Sequence, residues 1–337
     1  MNLSIRYVKP ASTTEWDSIW SNCGYATYFH SREWAELWSQ HSNGDLQPWP
    51  LMVVFSDGKS ALLPLSAAKR HKGLVREYHS SPGVTYGGWI ALDSLTPEHC
   101  KLLTKYLTQD LAQLIWRVNP YDSFAASILC SSGIPDETHA LDLSAGYAAI
   151  YNAGTKGHTS AERKARKDGV AIEVAGTVAE WRSYYDIYQD SIRRWGENPA
   201  TAYPWKFFEN LFYRNSSHVQ LWLANYQGEL AAGALCFYSK SHVVYWHGAA
   251  AARYFTHRPV NLLLYEVIRH ACESNYSWFD FNPSGGHEGV KAFKQHFGAT
   301  SRLCPVVKTR SRLGRMIKAL SFIPESFSPS EVVGGQV

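Results

Sequence analysis

The stretch "RPVNLLLYEVIRHACESNYSWFDFNPSGG" (258–286), with "HVVYWHGAA" (242–250) ahead of it, decides the fold class. "HVVYWHGAA" is short and rich in β-branched and aromatic residues, so it reads as a strand. Pro259 suits the first position of a helix, where its missing N–H leaves no bond unmade. Val260, Leu263, Leu264, Val267, Ile268 and Ala271 then recur on one helical face. "YSWFDFN" returns to strand character and runs into Asn282-Pro283. A strand, a crossover helix and a following strand define an α/β unit with a mixed sheet.

Upstream, "VQLWLANYQGELAAGALCFYS" (219–239) reads as strand, Gly228 turn and strand. The first half of the chain repeats this order. "LMVVFSDGKSALLPL" (51–65) is a hairpin turning at Asp57-Gly58. A helix opens at Pro97 and carries Leu102, Leu103, Tyr106, Leu107 and Leu111 at helical spacing. The strand "LIWRVNPYD" (114–122) again runs into Asn-Pro. Gly58 and Gly228 are 170 residues apart, Pro97 and Pro259 are 162 apart, and the two Asn-Pro pairs 163. Offsets so long and so similar indicate a duplicated domain, not a short-period solenoid. The segment 141–170 would connect the copies, beginning as a strand and becoming a basic helix (about 155–169) that ends at Gly169. We therefore expect domains at 1–150 and 151–337.

The 337 residues suffice for two buried cores, and 45% hydrophobic with 18% charged residues is ordinary for a globular chain. A net charge of +4 does not argue for nucleic acid by itself. Six cysteines without paired spacing read as reduced thiols, and no run approaches a membrane span. With no apolar leader visible, the expectation is a cytoplasmic protein. Motifs for other chemistries are missing: there is no HExxH, no GxSxG elbow and no GxGxxG after a strand. "DGKS" at 57–60 has the tail of a phosphate loop, but Val53 stands at its upstream glycine position.

Two residues of 279–299 stand out. Asp280 is a carboxylate on an apolar strand, expensive unless hydrogen-bonded, and reads as scaffold or as a base. Lys294 falls with Val290, Phe293 and Phe297 at i, i+3, i+4 and i+7, so it shares their apolar face. Such a lysine either lies along apolar surface with its ammonium in water, or serves to stabilise a developing oxyanion.

The run "YWHGAA…PVNLLLYEVIRHA…FDFNPSGG…GVKAFKQHFGA" resembles the C-terminal half of the FemABX-like branch of the GNAT acyltransferase superfamily. "ATYFHSREWAELW", "ALLPL" and "SSPGVTYGG" resemble its first domain, and "SAERKARKDGV" its connecting helix. The resemblance implies two tandem GNAT-like domains, mixed α/β in class. It also implies transfer of an acyl or aminoacyl group from acyl-CoA or aminoacyl-tRNA to an amine of a sugar, peptidoglycan precursor or envelope metabolite. In the cross-bridge enzymes of this family a Phe-Lys pair sits at the reaction centre. Those positions are Phe293 and Lys294 here. No pair of long heptad helices exists to form the family's coiled-coil insertion, which favours acyl-CoA over tRNA as donor. A non-catalytic ligand-binding module is the reading from another class.

Further candidates for substrate contact are Arg163 and Arg166 on the basic helix, Arg194 and Trp195 in "SIRRWGENP", Tyr245 and His247 in "YWHGA", and Tyr86 in a Gly/Pro-rich loop. The helix behind "HRPVN" offers an N-terminus to a pyrophosphate. "RSRLGRMIKAL" (310–320) reads as a short basic amphipathic helix, docked on its own domain or touching an anionic membrane.

Overall fold

A computed structural model describes residues 2–111, 113–129, 133–195 and 202–310, apart from the side chains of Trp195 and Arg310. The Trp195 side chain and the segment 311–320 named above therefore lie outside the described residues.

The chain forms two compact units. The first carries strands β1 (Ile5–Pro10), β2 (Leu46–Phe55), β3 (Ser60–Arg70), β4 (Val75–His79), β5 (Tyr86–Gly87) and β6 (Gln113–Val118). Its helices are α1 (Thr13–Asn22), α2 (Arg32–His41), α3 (Pro97–Lys105) and α4 (Ser123–Leu129). The expected hairpin is β2–β3, and its turn holds because Gly58 takes φ +91° while the Asp57 carboxylate accepts from Lys59 N–H. Ser12 and Glu15 close a capping box on α1, and Pro97 opens α3. Sheet order is β1-β2-β3-β4-β6, completed by a strand from the far end of the chain, β14 (Val306–Arg310), antiparallel to β6.

The second unit contains β7 (Glu137–Asp142), β8 (Ala171–Val174), β9 (Val219–Tyr226), β10 (Glu229–Tyr238), β11 (His242–Ala250), β12 (Trp278–Asp280) and β13 (Thr300–Leu303). Its helices are α5 (Gly146–Ala153), α6 (Lys156–Asp168), α7 (Val178–Trp195), α8 (Trp205–Arg214), α9 (Pro259–Glu273) and α10 (Glu288–Gln295). The basic connecting helix expected at 155–169 is α6, stopped by Gly169 at φ +88°. The order β8-β9-β10-β11-β12-β7-β13 repeats that of the first sheet, with β11 and β12 parallel as β4 and β6 are. This is the duplication that the landmark spacing indicated.

The division of the chain differs from the expected boundary at 150. The first unit ends at Glu137 and resumes at Leu303, so residue 150 falls inside α5 of the second unit. The cause is long-range pairing. Strand β7 follows α4 in sequence but bonds to β12, and β14 lies in the sheet of residues almost two hundred positions earlier. Neither partnership leaves a local mark in the sequence.

In the second unit one sheet face is packed by α9, Leu263, Leu264, Val267 and Ile268 among its residues, over Ala232, Ala234, Cys236 and Tyr245. Residues of the opposite alternation meet α7 and α8. At Gly233 an added Cβ would lie 2.4 Å from the Tyr184 ring.

Candidate functional site

Parallel strands β11 and β12 pair only through His242–Trp278, Val243–Phe279 and Val244–Asp280. Beyond that point β11 continues to Ala250, whereas β12 ends and the chain turns away through Phe281–Gly286. Phe281 N–H bonds to His139 O of β7 instead. The sheet thus opens between β11 and the end of β12. In the first unit the equivalent place is filled by the chain itself. After β4 leaves β6, the short strand β5 pairs with Arg117 and Val118 of β6.

Asp280, Asn282 and Lys294 meet at the opening. Asp280 is fully buried, and its Oδ1 accepts from Thr138 Oγ1 at 2.6 Å and Asn282 N–H at 2.7 Å. Lys294 Nζ donates to the Asn282 carbonyl at 2.6 Å, with the residue 1% exposed. The carboxylate and the ammonium therefore grip the two sides of one residue. Asn282 sits at φ +62°, a conformation that asparagine tolerates better than most residues. Pro283 follows it and has no N–H to donate, so the chain cannot resume the ladder beyond β12. Val290 is buried on α10 with Lys294, as the periodicity required, and Phe297, two residues past the end of the helix, is buried as well.

Phe293 points elsewhere. It is half-buried, its ring 4.9 Å from His158 and 5.3 Å from Phe297. Together with His158, Ser160 and Lys164 of α6, and Arg258 and Asn261 at the start of α9, it lines a cavity of about 430 Å³. His158 is 8% exposed, and its Nε2 has no hydrogen-bond partner. Burial, with His296 adding to it, lowers its pKa to about 4 and keeps the ring neutral. Nothing local marks His158, because only folding brings α6 to α10. Thr138 was invisible for the same reason, lying 142 residues from its partner.

The remaining candidates do not gather here. Tyr245 and His247 would share a face on a regular strand. A bulge that leaves Trp246 as the extra residue between the Cys236–Tyr245 and Leu235–His247 pairs separates them. Tyr245 packs with the α9 core, its ring edge-on to Phe281 at 6.5 Å. His247 faces α7 and α8, with Nδ1 2.5 Å from Tyr184 Oη and burial pushing its pKa down to about 3. It is a core residue. Arg166 bridges the buried carboxylates of Glu162 and Glu266 at 2.8 and 2.6 Å, tying α6 to α9. Arg163 is exposed and reaches Tyr151 Oη at 3.4 Å. Arg194 donates to Ala250 O and Ser191 Oγ and lies over Phe255. Tyr86 is not in an open loop: it forms β5, is fully buried, and packs 5.7 Å from Phe29.

Residues 155–295 match the family model of the acetyltransferase (GNAT) domain. The matched residues lie in the unit with the opened sheet, and the match supports acyl transfer as the activity of that unit. The fold of the whole chain is similar to that of FemX, whose crystal structure superposes with a TM-score of 0.71 at 14% identity, over 93% of this chain and 99% of that one. A conserved protein of unknown function from Bacteroides thetaiotaomicron VPI-5482 superposes at 0.53 and 12% identity, over 90% and 99%. No curated protein matches the sequence. Among the described residues the longest helix is α7, at 18 residues, and there is no long coiled coil. No described helix is long and apolar enough to cross a membrane.

Proposed function

We propose that the protein moves an acyl group from acyl-CoA to the amine of a sugar, a peptidoglycan precursor or a related envelope metabolite, with Lys294 at the reaction centre. The observation that carries this reading is a buried ammonium beside the gap between two parallel strands, on a helix held by Val290 and Phe297. In it, the thioester carbonyl enters the opening between β11 and β12. The amine attacks, a C–N bond forms, and negative charge develops on the carbonyl oxygen. A fixed cation in a site shielded from water is worth far more to that oxyanion than one in solvent. The C–S bond then breaks, and the departing thiolate takes the amine's proton. No protein base is needed for that balance, which leaves Asp280 as the scaffold of Asn282. The cavity beside Phe293 suits the donor's phosphates, since Arg258, Lys164 and the first turn of α9 face it with positive charge. A CoA donor places the reaction in the cytoplasm.

Thiol release from acetyl-CoA, followed across a panel of amino sugars and peptidoglycan-type amines, tests the reading. Lys294→Ala and Lys294→Met are expected to lower kcat by about 10²–10³, the cost of one oxyanion donor. Phe293→Ala is expected to act mainly on KM for the thioester. Unchanged turnover in a folded Lys294→Ala protein would remove Lys294 from the mechanism.

A further inference from the structure

We propose that the β3–β4 hairpin tip of the first unit is a membrane-docking element that seats on anionic lipid. Residues 71–74, His-Lys-Gly-Leu, form the turn, and all four are exposed. Leu74, at 72%, is the most exposed large apolar side chain among the described residues. Cations surround it. Lys69 stands opposite Arg76 across the hairpin, Lys72 is in the turn itself, and neither lysine has a carboxylate partner among the described residues. The two nearby acids, Asp45 and Glu77, are both engaged by Arg70. Farther down the hairpin's flank, on β2 opposite Leu65, Trp49 is 37% exposed, with the Arg76 guanidinium 4.2 Å above its ring.

The turn's backbone makes the composition informative. His71 and Lys72 sit at φ +51° and +56°, followed by Gly73 at +88°. Such turns favour Asn and Gly at the positive-φ positions. The chain places two basic side chains there, against local preference and with no folded-state contact that would compensate.

An apolar residue at a tip, basic residues around it and a tryptophan at the flank together fit a lipid interface. The leucine enters the acyl boundary, the indole lies at headgroup depth, and the cations meet anionic headgroups. A protein partner fits less well, because interface cores are depleted in lysine. RNA would use the cations and the indole but would have no use for Leu74. The surface lies entirely in the first unit, so its test is independent of the catalytic reading.

The full chain is sedimented with vesicles of phosphatidylcholine alone, and with vesicles in which about a third is replaced by phosphatidylglycerol. Binding is expected on the anionic vesicles only, weakening as salt rises. Lys72→Asn is expected to bind about fivefold more weakly, the loss for one basic residue near an anionic surface. It should also raise the thermal midpoint, since asparagine relieves the left-handed turn. Leu74→Ser is expected to bind about tenfold more weakly at unchanged stability. Equal binding to both vesicle types, or variants that bind like the parent chain, would overturn the proposal. So would a tip that binds single-stranded RNA with loss on Lys72→Asn and none on Leu74→Ser.

Discussion

Replacing Asp280 separates a scaffold from a base. Its Oδ1 accepts two short hydrogen bonds, from a hydroxyl on β7 and from the backbone of a left-handed residue. Asp280→Asn keeps the shape, and the amide oxygen still accepts both. A bond to a charged group contributes about 1.5–3 kcal/mol against about 1 for a neutral pair, so the change should cost about 2 kcal/mol. Asp280→Ala instead strands both donors in a fully buried place, at about 1–3 kcal/mol each plus a small cavity, so about 4 kcal/mol is expected. For a unit of this size each kcal/mol moves the midpoint by about 2–4 °C. Calorimetry should therefore show a drop of about 4–8 °C for Asn and roughly twice that for Ala. Thiol release at a temperature where both remain folded should fall only severalfold for Asn, because Asn282 keeps its conformation and the Lys294 ammonium its place. An Asp280→Asn protein with a native midpoint, turnover reduced by more than about 10³ and no acidic limb in its pH profile would refute this reasoning and make Asp280 the base.

Gly233→Ala should destabilise the second unit by about 2–3 kcal/mol in chemical denaturation: its methyl would meet the buried Tyr184 ring at 2.4 Å, and the bond to His247 denies that ring an escape. Acid should unfold the protein early. Burial lowers His30, His158 and His247 to about 4, 4 and 3, so each binds a proton more readily when unfolded. The stability gained by keeping them neutral is complete above about pH 6.5 and is lost as pH falls toward those values, at about 1.4 kcal/mol per pH unit for each ring. Denaturation between pH 6 and 4.5 should be less steep by one proton in His158→Phe; an equal slope would show that His158 is not buried neutral.

Local chemistry made much of this fold legible. Gly58, Gly228, Pro97, Pro259 and Gly169 mark turns and helix ends through backbone preferences that act within a few residues, and each stands where it was expected. Lys294 was legible too, because a 3.6-residue period needs no partner to be seen. What escaped was set by contacts at long range. The strands β7 and β14 close sheets from which they are remote in sequence, one inserted residue turns His247 away from Tyr245, and Arg166, a candidate for substrate contact, is the counter-charge of two buried glutamates. Tyr86 bears most directly on where the chemistry lies. Duplication gives both units a parallel strand pair that parts after a short register, and so two places of equal promise. The first is closed by β5, whose backbone takes up the free edge of β6 and whose Tyr86 is fully buried. An opening filled by paired backbone has neither room nor unspent hydrogen bonds for a thioester. The second keeps its gap, and Asn282, gripped from both sides, holds the chain end away from β11. The grip and the gap come from the same three residues, so a substitution that relaxes Asn282 should cost activity through geometry even where Lys294 is intact.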